Sequence, residues 1–288
     1  MRKVMTIVVD AGSSKAEWAP IYSDGTIGES LLLPGINPVM ADTETMIGQF
    51  RSVASDYVGS TEAEEIYYYG AGCATPEICS RVDQALARVW PGSRRVVASD
   101  LVGAAKALLG KERGIACILG TGSNSGLFDG EKIVANIPPL GFILGDEGSG
   151  AALGKRLINE IFKGNIPEEV RKKFFLDTGL SLPEIIENVY RRPAPNKFIA
   201  SLVPFIRNHI DNPFLYNMVV EEFVSFFRHN VNPYPDAHLY RPAFTGSVAF
   251  HFKDCLQEAA RRENYEIGKV EKAPMEALLD FHLNIQGL

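Results

Sequence analysis

The sequence reads Val-Val-Asp-Ala-Gly-Ser-Ser-Lys over residues 8–15, and this stretch decides the fold. It is an apolar strand that ends in a Gly/Ser turn, and a second strand follows it up to the turn at Asp24-Gly25. Residues 117–125 repeat the pattern as Cys-Ile-Leu-Gly-Thr-Gly-Ser-Asn-Ser, again ahead of an Asp-Gly turn, at Asp129-Gly130. A Gly-Ser turn lets the backbone approach a ligand closely and offers N–H and hydroxyl donors. Two such hairpins in one chain predict a duplicated domain that clamps a polyphosphate from both sides.

Length and charge narrow the class of protein. With 288 residues, of which 46% are hydrophobic, the chain is long enough for two packed domains. Its net charge of −6 argues against a nucleic-acid partner and against binding to an anionic membrane. A nucleotide is still compatible with this charge, because local N–H groups and Mg²⁺ can hold its phosphates.

The cysteines and the N-terminal residues predict a cytoplasmic protein. The four cysteines show neither a CxxC motif nor a metal-ligand spacing, so we expect free thiols in a reducing compartment. The first residues lead directly into an apolar strand without the features of a signal peptide. No apolar run approaches the roughly 20 residues that a membrane helix needs.

The order of strands and helices predicts an α/β fold that occurs twice. Residues 4–109 have the pattern of three strands followed by alternating helices and strands, which describes one complete α/β domain. Gly114–Leu119 then starts the pattern again with the second hairpin. A long stretch of helical periodicity, residues 148–229, interrupts this second copy before strand, turn and helix signals return over residues 240–262.

Each Gly/Ser turn has a structural and a functional interpretation. The first turn can be a plain hairpin turn. If it binds a nucleotide, Asp10 at the strand end helps to hold Mg²⁺ through water, and four residues contact the β- and γ-phosphates: Gly12, Ser13, Ser14 and Lys15. The second turn cannot be a dinucleotide fingerprint, because such a motif must open a helix. It fits a second phosphate hairpin made of Gly120, Thr121, Gly122 and Ser123.

Asp100 lies where a predicted strand, Arg95–Ala98, gives way to a predicted helix. The simple interpretation is a residue that caps the helix N-terminus. The functional interpretation is a general base that takes a proton from a substrate hydroxyl as the hydroxyl attacks a γ-phosphate. Both roles are compatible, because ligands of open α/β sheets bind where the strands end.

Two further segments carry glycine and polar residues together. Residues 141–150 read Gly-Phe-Ile-Leu-Gly-Asp-Glu-Gly-Ser-Gly, which can be a loop whose acids favour the N-terminus of the next helix. A site for sugar hydroxyls also needs short carboxylates beside close backbone, and we expect Asp146 to make that contact. In the strand–turn–helix segment at 244–249, Gly246 and Ser247 would pack against an adenosine.

Taken together, these motifs resemble those of the acetate and sugar kinase/Hsp70/actin superfamily, and within it the BadF/BadG/BcrA/BcrD ATPase and N-acetylglucosamine kinase branch. The resemblance covers nearly the whole chain in the expected order, and GDEGSG at residues 145–150 is specific to this branch. It implies that Asn37 binds the sugar, that Leu140 and Gly141 face it, and that Asp100 is the catalytic aspartate. The chain departs from the family at Ala16, where a threonine is usual, and at Pro139-Leu140, where Gly-Trp is common.

The fold implied by the resemblance is a pair of RNase H-like, actin-like ATPase domains hinged around a nucleotide and sugar cleft. The N-terminal domain is expected over residues 1–108, with the C-terminal helix 274–288 packing back on it. The second domain is expected over residues 109–273 and carries a large helical insertion. A homodimer is a further expectation at the level of the family.

These motifs favour ATP-dependent phosphate transfer to a hydroxyl of an amino sugar, with ATP and Mg²⁺ as cofactors. Two alternatives stay open at this point. One is an ATPase of the BadF/BadG type that activates a partner enzyme through a cluster shared across a dimer. The other is a nucleotide-dependent binding protein that has lost catalysis.

Overall fold

The computed structural model describes residues 4–56 and 63–286 of the chain. It divides into two compact units. Unit 1 comprises Met1–Glu112, Gly130–Lys132 and Ala273–Leu288, and unit 2 comprises Arg113–Asp129 and Ile133–Lys272. Each unit contains one mixed β-sheet with helices packed on it, so the α/β class expected from the sequence is confirmed.

The sheet of unit 1 is built from five strands: β1 (Val4–Ala11), β2 (Lys15–Tyr22), β3 (Leu31–Pro34), β4 (Glu65–Gly70) and β5 (Arg94–Ser99). The strand order is β3-β2-β1-β4-β5. β1, β2 and β3 are antiparallel neighbours, whereas β4 and β5 run parallel to β1. The carboxyl ends of β1, β4 and β5 therefore lie at the same edge of the sheet.

The third strand is shorter than its sequence predicts. A strand is expected over residues 27–33, but Ile27 makes only a single bridge to Ile21, and β3 begins at Leu31. Pro20 on the neighbouring strand lacks an N–H group, so the ladder between the two strands cannot continue through it.

The described part of unit 1 contains four helices: α1 (Thr43–Asp56), α2 (Pro76–Val89), α3 (Asp100–Leu109) and α13 (Met275–Gln286). The bounds of α2 and α3 are those that the sequence predicts. Thr75 caps α2 by accepting a hydrogen bond from the Ile78 N–H, and Pro76 occupies the first turn, where no donor is needed. α1 is expected over residues 43–58, of which 57–58 lie outside the described residues.

The sheet of unit 2 repeats the topology of the first. Its strands are β6 (Gly114–Leu119), β7 (Ser123–Phe128), β8 (Ile133–Ile137), β9 (Ala243–Thr245) and β10 (Val270–Glu271). The order is β10-β9-β6-β7-β8, with β6, β7 and β8 antiparallel and with β9 and β10 parallel to β6. Two hairpin strands on one side and two parallel strands on the other recur in both sheets, as the duplicated turns predict.

The helices of unit 2 lie mostly between β8 and β9 in the sequence. They are α4 (Gly141–Leu144), α5 (Gly150–Lys163), α6 (Glu168–Thr178), α7 (Leu182–Tyr190), α8 (Pro195–Ala200), α9 (Val203–Asn208), α10 (Pro213–Phe226), α11 (Ser247–His251) and α12 (Lys253–Arg262). A π-helix (Phe227–Val231) extends α10, and a short 3₁₀ helix spans Ala237–Leu239.

The sequence predicts one helix over residues 196–209 and another over residues 213–229, and these bounds correct both expectations. Residues 196–209 do not form one helix, because α8 ends at Ala200 and a new helix begins at Val203. Pro204 has no N–H and occupies the first turn of α9, where that donor is not needed. Residues 213–229 are α-helical only to Phe226 and then widen into the π-helix.

Each unit has its own apolar core. In unit 1, Trp18 and Tyr68 from the sheet pack against Phe50 of α1, with ring centroids 5.3 Å and 5.9 Å from Phe50. In unit 2 the stripe of Phe223, Phe226 and Phe227 is fully buried, so these aromatics are core residues.

No helix within residues 4–56 and 63–286 is both long enough and apolar enough to cross a membrane. The four cysteines of the chain are free thiols, as their spacing predicts.

We predict that Phe50→Ala destabilises unit 1 by about 3–5 kcal/mol, because it removes a buried ring from the aromatic cluster and leaves a cavity. Urea denaturation followed by tryptophan fluorescence reports this change, since Trp18 lies in the cluster. Leu32→Ala, an exposed position on β3 of the same unit, is the control and should change the free energy of unfolding by no more than about 0.5 kcal/mol. Equal losses in the two variants would contradict the assignment of this core.

Candidate functional site

The first Gly/Ser turn joins β1 to β2 and presents its side chains to solvent. Ser13, Ser14 and Lys15 are exposed, and the Ser14 carbonyl accepts a hydrogen bond from the Gly35 N–H at 3.1 Å. The turn is therefore held by the chain segment that follows β3. Exposed N–H, hydroxyl and ammonium groups on a fixed turn are suited to an anionic ligand.

Gly35 is a residue that sequence reasoning missed. A Cβ atom at this position would lie 2.2 Å from the Gly12 carbonyl oxygen and 2.8 Å from the Lys15 backbone nitrogen. Only glycine allows the two backbones to approach so closely. The sequence shows Gly35 as an ordinary loop glycine beside Pro34, and no local signal links it to a turn some twenty residues away in the chain.

Asp10 lies near the carboxyl end of β1 and Asp100 directly follows the carboxyl end of β5, at the same edge of the first sheet. Asp10 is opposite Tyr69 of β4, and Tyr69 is opposite Ala98 of β5, two residues before Asp100. Burial, together with the negative charges of Asp100 and Glu17, raises the pKa of Asp10 to about 7 against the opposing effect of Lys15. The sequence placed these two carboxylates at strand ends, and the sheet brings them into electrostatic contact.

Asp100 is the first residue of α3 but does not cap it. Ser99 is the N-cap, and its hydroxyl accepts a hydrogen bond from the Val102 N–H at 3.4 Å. The Asp100 carboxylate instead accepts from the Leu101 N–H at 2.9 Å. Burial raises the pKa of Asp100 to about 6, and this hydrogen bond to the ionised form limits the rise. A carboxylate with a pKa close to neutrality is well matched to accept a proton.

Asn37 lies in a turn that α2 holds in place. Its side-chain oxygen accepts a hydrogen bond from the Val39 N–H at 3.0 Å. Arg81 of α2 donates to the carbonyl oxygens of Pro38 and Ala41, at 3.1 Å and 2.7 Å. Arg81 was not singled out from the sequence, where it is one of many charged residues on a helix. It holds the backbone at the start and at the end of the turn that follows Asn37.

The second Gly/Ser turn, in unit 2, is joined to the N-terminus of α5. The Gly150 N–H donates to the Gly120 carbonyl at 2.8 Å, and the Ala151 N–H donates to the Thr121 carbonyl at 3.0 Å. The Ser149 hydroxyl accepts from the Ala152 N–H at 3.1 Å and caps the helix. The end of the GDEGSG segment and the second turn therefore form one hydrogen-bonded structure.

Asp146 packs against the second turn. Its carboxylate accepts from the Ser123 N–H at 3.4 Å, and a Cβ atom added to Gly122 would lie 3.0 Å from its Oδ2. Asp146 is buried and adopts a left-handed backbone with φ 57°. Burial, with the neighbouring charge of Glu147, raises the pKa of Asp146. The sequence predicts that Asp146 contacts a sugar, and in the structure Asp146 contacts the backbone of the second Gly/Ser turn.

The segment before Asp146 is not the continuous loop that the sequence suggests. It contains the short helix α4, which Leu140 enters with a left-handed φ of 62°. The Asp146 N–H donates to the Pro139 carbonyl at 3.0 Å and closes the segment on itself. Leu140 and Gly141 are both exposed, at the start of α4.

Unit 2 also contains a cavity of about 320 Å³ beside the second turn. Gly120, Thr121 and Ser247 line it on one side. Arg207 and Asn208 at the end of α9 line it too. Sequence reasoning missed these two because α9 lies in the helical stretch, where nothing in the local pattern marks a ligand.

The turn at Gly246-Ser247, between β9 and α11, contributes Ser247 to the cavity through its backbone shape. Gly246 has φ 116°, and a Cβ atom there would lie 2.2 Å from the Leu119 carbonyl oxygen. Glycine is therefore required where β9 passes β6 and turns into α11. The pKa of His251, also in this cavity, is lowered by burial and by the charges of Arg207 and Lys272.

The candidate residues thus fall into two groups, one in each unit. Unit 1 holds Asp10, the first turn, Asn37 and Asp100, and unit 2 holds the second turn, Leu140, Gly141, Asp146, Gly246 and Ser247. Across residues 4–56 and 63–286, no group of three or more His, Cys, Asp and Glu side chains has a geometry that could hold a metal ion. Within these described residues, the hydroxyl oxygens Ser123 Oγ and Thr245 Oγ1 are buried and have no hydrogen-bond partner.

Comparison with solved structures gives full-length matches. A protein from Porphyromonas gingivalis, provisionally named an N-acetylglucosamine kinase, is 41% identical, with a TM-score of 0.93 over 98% of this chain and 100% of the other. A second provisionally named N-acetylglucosamine kinase, from Chromobacterium violaceum, is 18% identical, with a TM-score of 0.72 over 97% and 99%. A ROK family glucokinase from Streptomyces griseus, in complex with glucose and AMPPNP, is 16% identical, with a TM-score of 0.57 over 98% of both chains.

The two more distant matches show a shared fold, which is the α/β fold of sugar kinases with two mixed sheets. The match to the Porphyromonas gingivalis protein is close enough in sequence to show kinship. The chain belongs to the BadF/BadG/BcrA/BcrD ATPase and N-acetylglucosamine kinase-like family. No family model and no curated protein matched the chain.

We predict that Asp10→Asn raises the melting temperature above pH 8, where the buried wild-type carboxylate is ionised beside Asp100. The folded pKa of Asp10, about 7, lies above its ordinary value of 3.8. Protonated Asp10 therefore contributes a stability to the folded state that is fully present below pH 3.8 and is lost as the pH rises through about 7. The advantage of the variant should shrink as the pH falls from 8 towards 4, in thermal melts at constant ionic strength. A difference that does not depend on pH would contradict this account.

Proposed function

We propose that this chain is an ATP-dependent kinase that phosphorylates a hydroxyl group of an amino sugar. The observation that carries the proposal is Asp100, a carboxylate at the carboxyl end of a parallel strand whose pKa is raised by burial to about 6. Ligands of such sheets bind at this edge. A group of this pKa is ionised at neutral pH and still accepts a proton readily.

In the proposed reaction Asp100 takes the proton of a sugar hydroxyl. The hydroxyl oxygen forms a bond to the γ-phosphorus of ATP, and the bond from that phosphorus to the β,γ-bridging oxygen breaks. The products are the sugar phosphate and ADP, and Asp100 is left protonated until the proton leaves to solvent. Positioning and charge stabilisation supply most of the rate in such transfers, so the turns matter as much as the base.

The nucleotide would be held by the Gly/Ser turns and by the cavity of unit 2. The first turn supplies Gly12, Ser13, Ser14 and Lys15 for the β- and γ-phosphates. The second turn, Gly120–Ser123, supplies further N–H and hydroxyl donors. The cavity of about 320 Å³ opens beside the second turn and beside Gly246 and Ser247, which supports its use by the nucleoside.

The residues around Asp10 fit a magnesium ion. Burial raises the pKa of Asp10, and the negative charges of Asp100 and Glu17 add to this rise. Carboxylate oxygens are ligands that Mg²⁺ prefers, and a cation would offset this charge. Magnesium usually keeps several waters and is held by one or two carboxylates together with substrate phosphates. Asp10 would therefore hold it through water. When bound, the ion would neutralise charge that develops on the transferred phosphate.

An amino sugar as acceptor is supported by the provisional name of the Porphyromonas gingivalis relative, at 41% identity over the full length. In this chain we assign sugar contacts to Asn37, Leu140, Gly141 and Asp146, in addition to Asp100. The exposed Leu140 replaces the tryptophan common in N-acetylglucosamine kinases, so the apolar surface offered to the sugar is smaller here.

The alternative of an ATPase that activates a partner is less well supported. That role needs cysteine thiolates that bind a cluster at the surface. Cys73 is buried, and burial raises its pKa to about 12, which describes a neutral thiol packed inside the unit.

Several expectations from the sequence and from the resemblance stay predictions. They are the domains at residues 1–108 with 274–288 and at 109–273, the hinge, the helical insertion, the homodimer and the cytoplasmic location. Residues 1–3, 57–62 and 287–288 of the expected domains lie outside the described residues.

We predict sugar-dependent ADP release in a coupled assay over a panel of hexoses that includes N-acetylglucosamine, glucosamine, N-acetylmannosamine, N-acetylmuramic acid and glucose. Asp100→Asn should lower kcat roughly 100- to 10,000-fold, because it removes the general base. The kcat/KM of the wild type should fall as the pH drops through about 6, where Asp100 gains its proton. The kinase proposal fails if no sugar stimulates ADP release and Asp100→Asn leaves the background rate unchanged.

We predict that Gly35→Ala lowers kcat/KM for ATP by roughly ten- to a hundredfold, because a Cβ atom at Gly35 displaces the first turn. Gly48→Ala is the matched control. Gly48 is exposed in α1, a Cβ atom there meets no atom within 4 Å, and alanine favours the helix. Steady-state kinetics at saturating sugar compare the two variants. Normal kinetics with ATP in Gly35→Ala would exclude the first turn from the nucleotide site.

A further inference from the structure

Glu147 is the second acid of the GDEGSG segment. The proposed function does not use it as the base, as part of a phosphate turn or as a sugar contact. Its Oε2 accepts a hydrogen bond from the Asn230 side-chain amide at 3.1 Å. Asn230 is buried, with 2% of its surface exposed, and it lies in the π-helix that extends α10. Single π-helical turns within helices are rare, and those that occur are often found at functional sites.

The backbone carbonyl of Asn230 makes a second contact. The backbone bond from Asn232 N–H to the Phe227 carbonyl, at 2.8 Å, spans one residue more than in an α-helix. The Asn230 carbonyl accepts from the Ser125 hydroxyl at 2.6 Å. Asn230 therefore joins Glu147, through its amide, to β7, through its carbonyl.

The same network continues across the sheet. The Ser125 hydroxyl also contacts the Tyr234 hydroxyl at 2.8 Å, and the Tyr234 oxygen accepts from the Ile137 N–H at 3.1 Å. Ser125 and Tyr234 are buried. Buried polar networks with satisfied partners are rigid, because breaking one bond leaves a polar group without a partner in an apolar surrounding.

Two consecutive residues thus reach the same hairpin by separate routes. Asp146 contacts the second turn directly, at Ser123, and Glu147 reaches β7 two residues further on, at Ser125, through Asn230. Asp146 has a left-handed backbone, as does Gly148 two residues later, so local conformation alone does not favour the orientation of Asp146. Glu147 lies between these two residues, and its hydrogen bond with Asn230 holds this part of the chain in place.

We propose that Glu147 and Asn230 are positioning residues that fix Asp146 against the second phosphate turn and thereby couple sugar binding to nucleotide binding. This inference rests on the proposed function, in which Asp146 contacts the sugar and Gly122 and Ser123 contact phosphate. A sugar that orders Asp146 then orders the turn at the same time. By linkage, each ligand raises the affinity for the other by the same factor.

The experiment measures the dissociation constant of ADP with Mg²⁺ by calorimetry, with and without the sugar that the wild type phosphorylates best. The ratio of the two constants is the coupling factor. Asn230→Ala and Glu147→Ala should each bring this ratio close to one and raise KM for the sugar by about tenfold, as expected for the loss of a hydrogen bond to a charged group. ADP affinity without sugar should change by less than threefold, a bound we set as about 0.6 kcal/mol.

The variants separate positioning from charge. Glu147→Gln keeps an oxygen that accepts from Asn230, so it should restore most of what Glu147→Ala loses. The double variant Glu147→Ala/Asn230→Ala should lose no more than either single variant, because the two residues act through one bond. Asn232→Ala is the control at the end of the same π-helix, where the side chain donates to Glu263 at 3.4 Å.

The proposal is overturned if Asn230→Ala and Glu147→Ala lower the free energy of unfolding in urea but leave the coupling factor and sugar KM at wild-type values. It is also overturned if Glu147→Gln changes the coupling factor and the sugar KM as much as Glu147→Ala does. A wild type that shows no sugar-dependent turnover ends the proposed function, and this inference with it. If the wild type phosphorylates a sugar but the variants keep its coupling factor and sugar KM, only this inference is contradicted and the proposed function stands.

Discussion

The rest of the structure depends on close contact between backbone segments at the ends of the central strands. In unit 1, Gly35 lies against the Gly12 carbonyl and holds the first turn. In unit 2, Gly246 lies against the Leu119 carbonyl, where the turn between β9 and α11 passes β6. A side chain at either position would push the segments apart. Because the segments meet without side chains between them, N–H groups and short polar residues are presented at fixed positions.

Three carboxylates lie on this backbone framework, and their burial away from water opposes their ionisation. Burial raises the pKa values of Asp10, Asp100 and Asp146. Proteins retain buried carboxylates of this kind chiefly where they are used, because their ionisation opposes folding. In unit 1 the two carboxylates interact with each other, whereas Asp146 is held on the backbone of the second turn. The network through Glu147 and Asn230 gives that contact a rigid support.

Part of this arrangement could be predicted because the signals are local. α3 begins at Asp100 because Ser99 caps it and an apolar helical run follows, and both features stand in the sequence. α4 could not be predicted, because its four residues give no periodicity and Leu140 enters it in a conformation that leucine rarely adopts. The π-helix has no sequence signal either, since its hydrogen bonds differ from those of α10 by a single residue. Arg207 was missed for a different reason, because only packing brings α9 beside the second turn.

By itself, the sequence determined the repeated strand order, the two Gly/Ser turns, the helix that begins at Asp100 and the family resemblance carried by residues 145–150. These follow from residue type and spacing over short stretches, where backbone preferences and capping act. Only the tertiary structure decided that Gly35 supports the first turn, that Asp146 contacts the second, and that Glu147 reaches Ser125 through Asn230. These contacts join residues far apart in the chain, and their strength comes from burial away from water, which exists only once the units have packed.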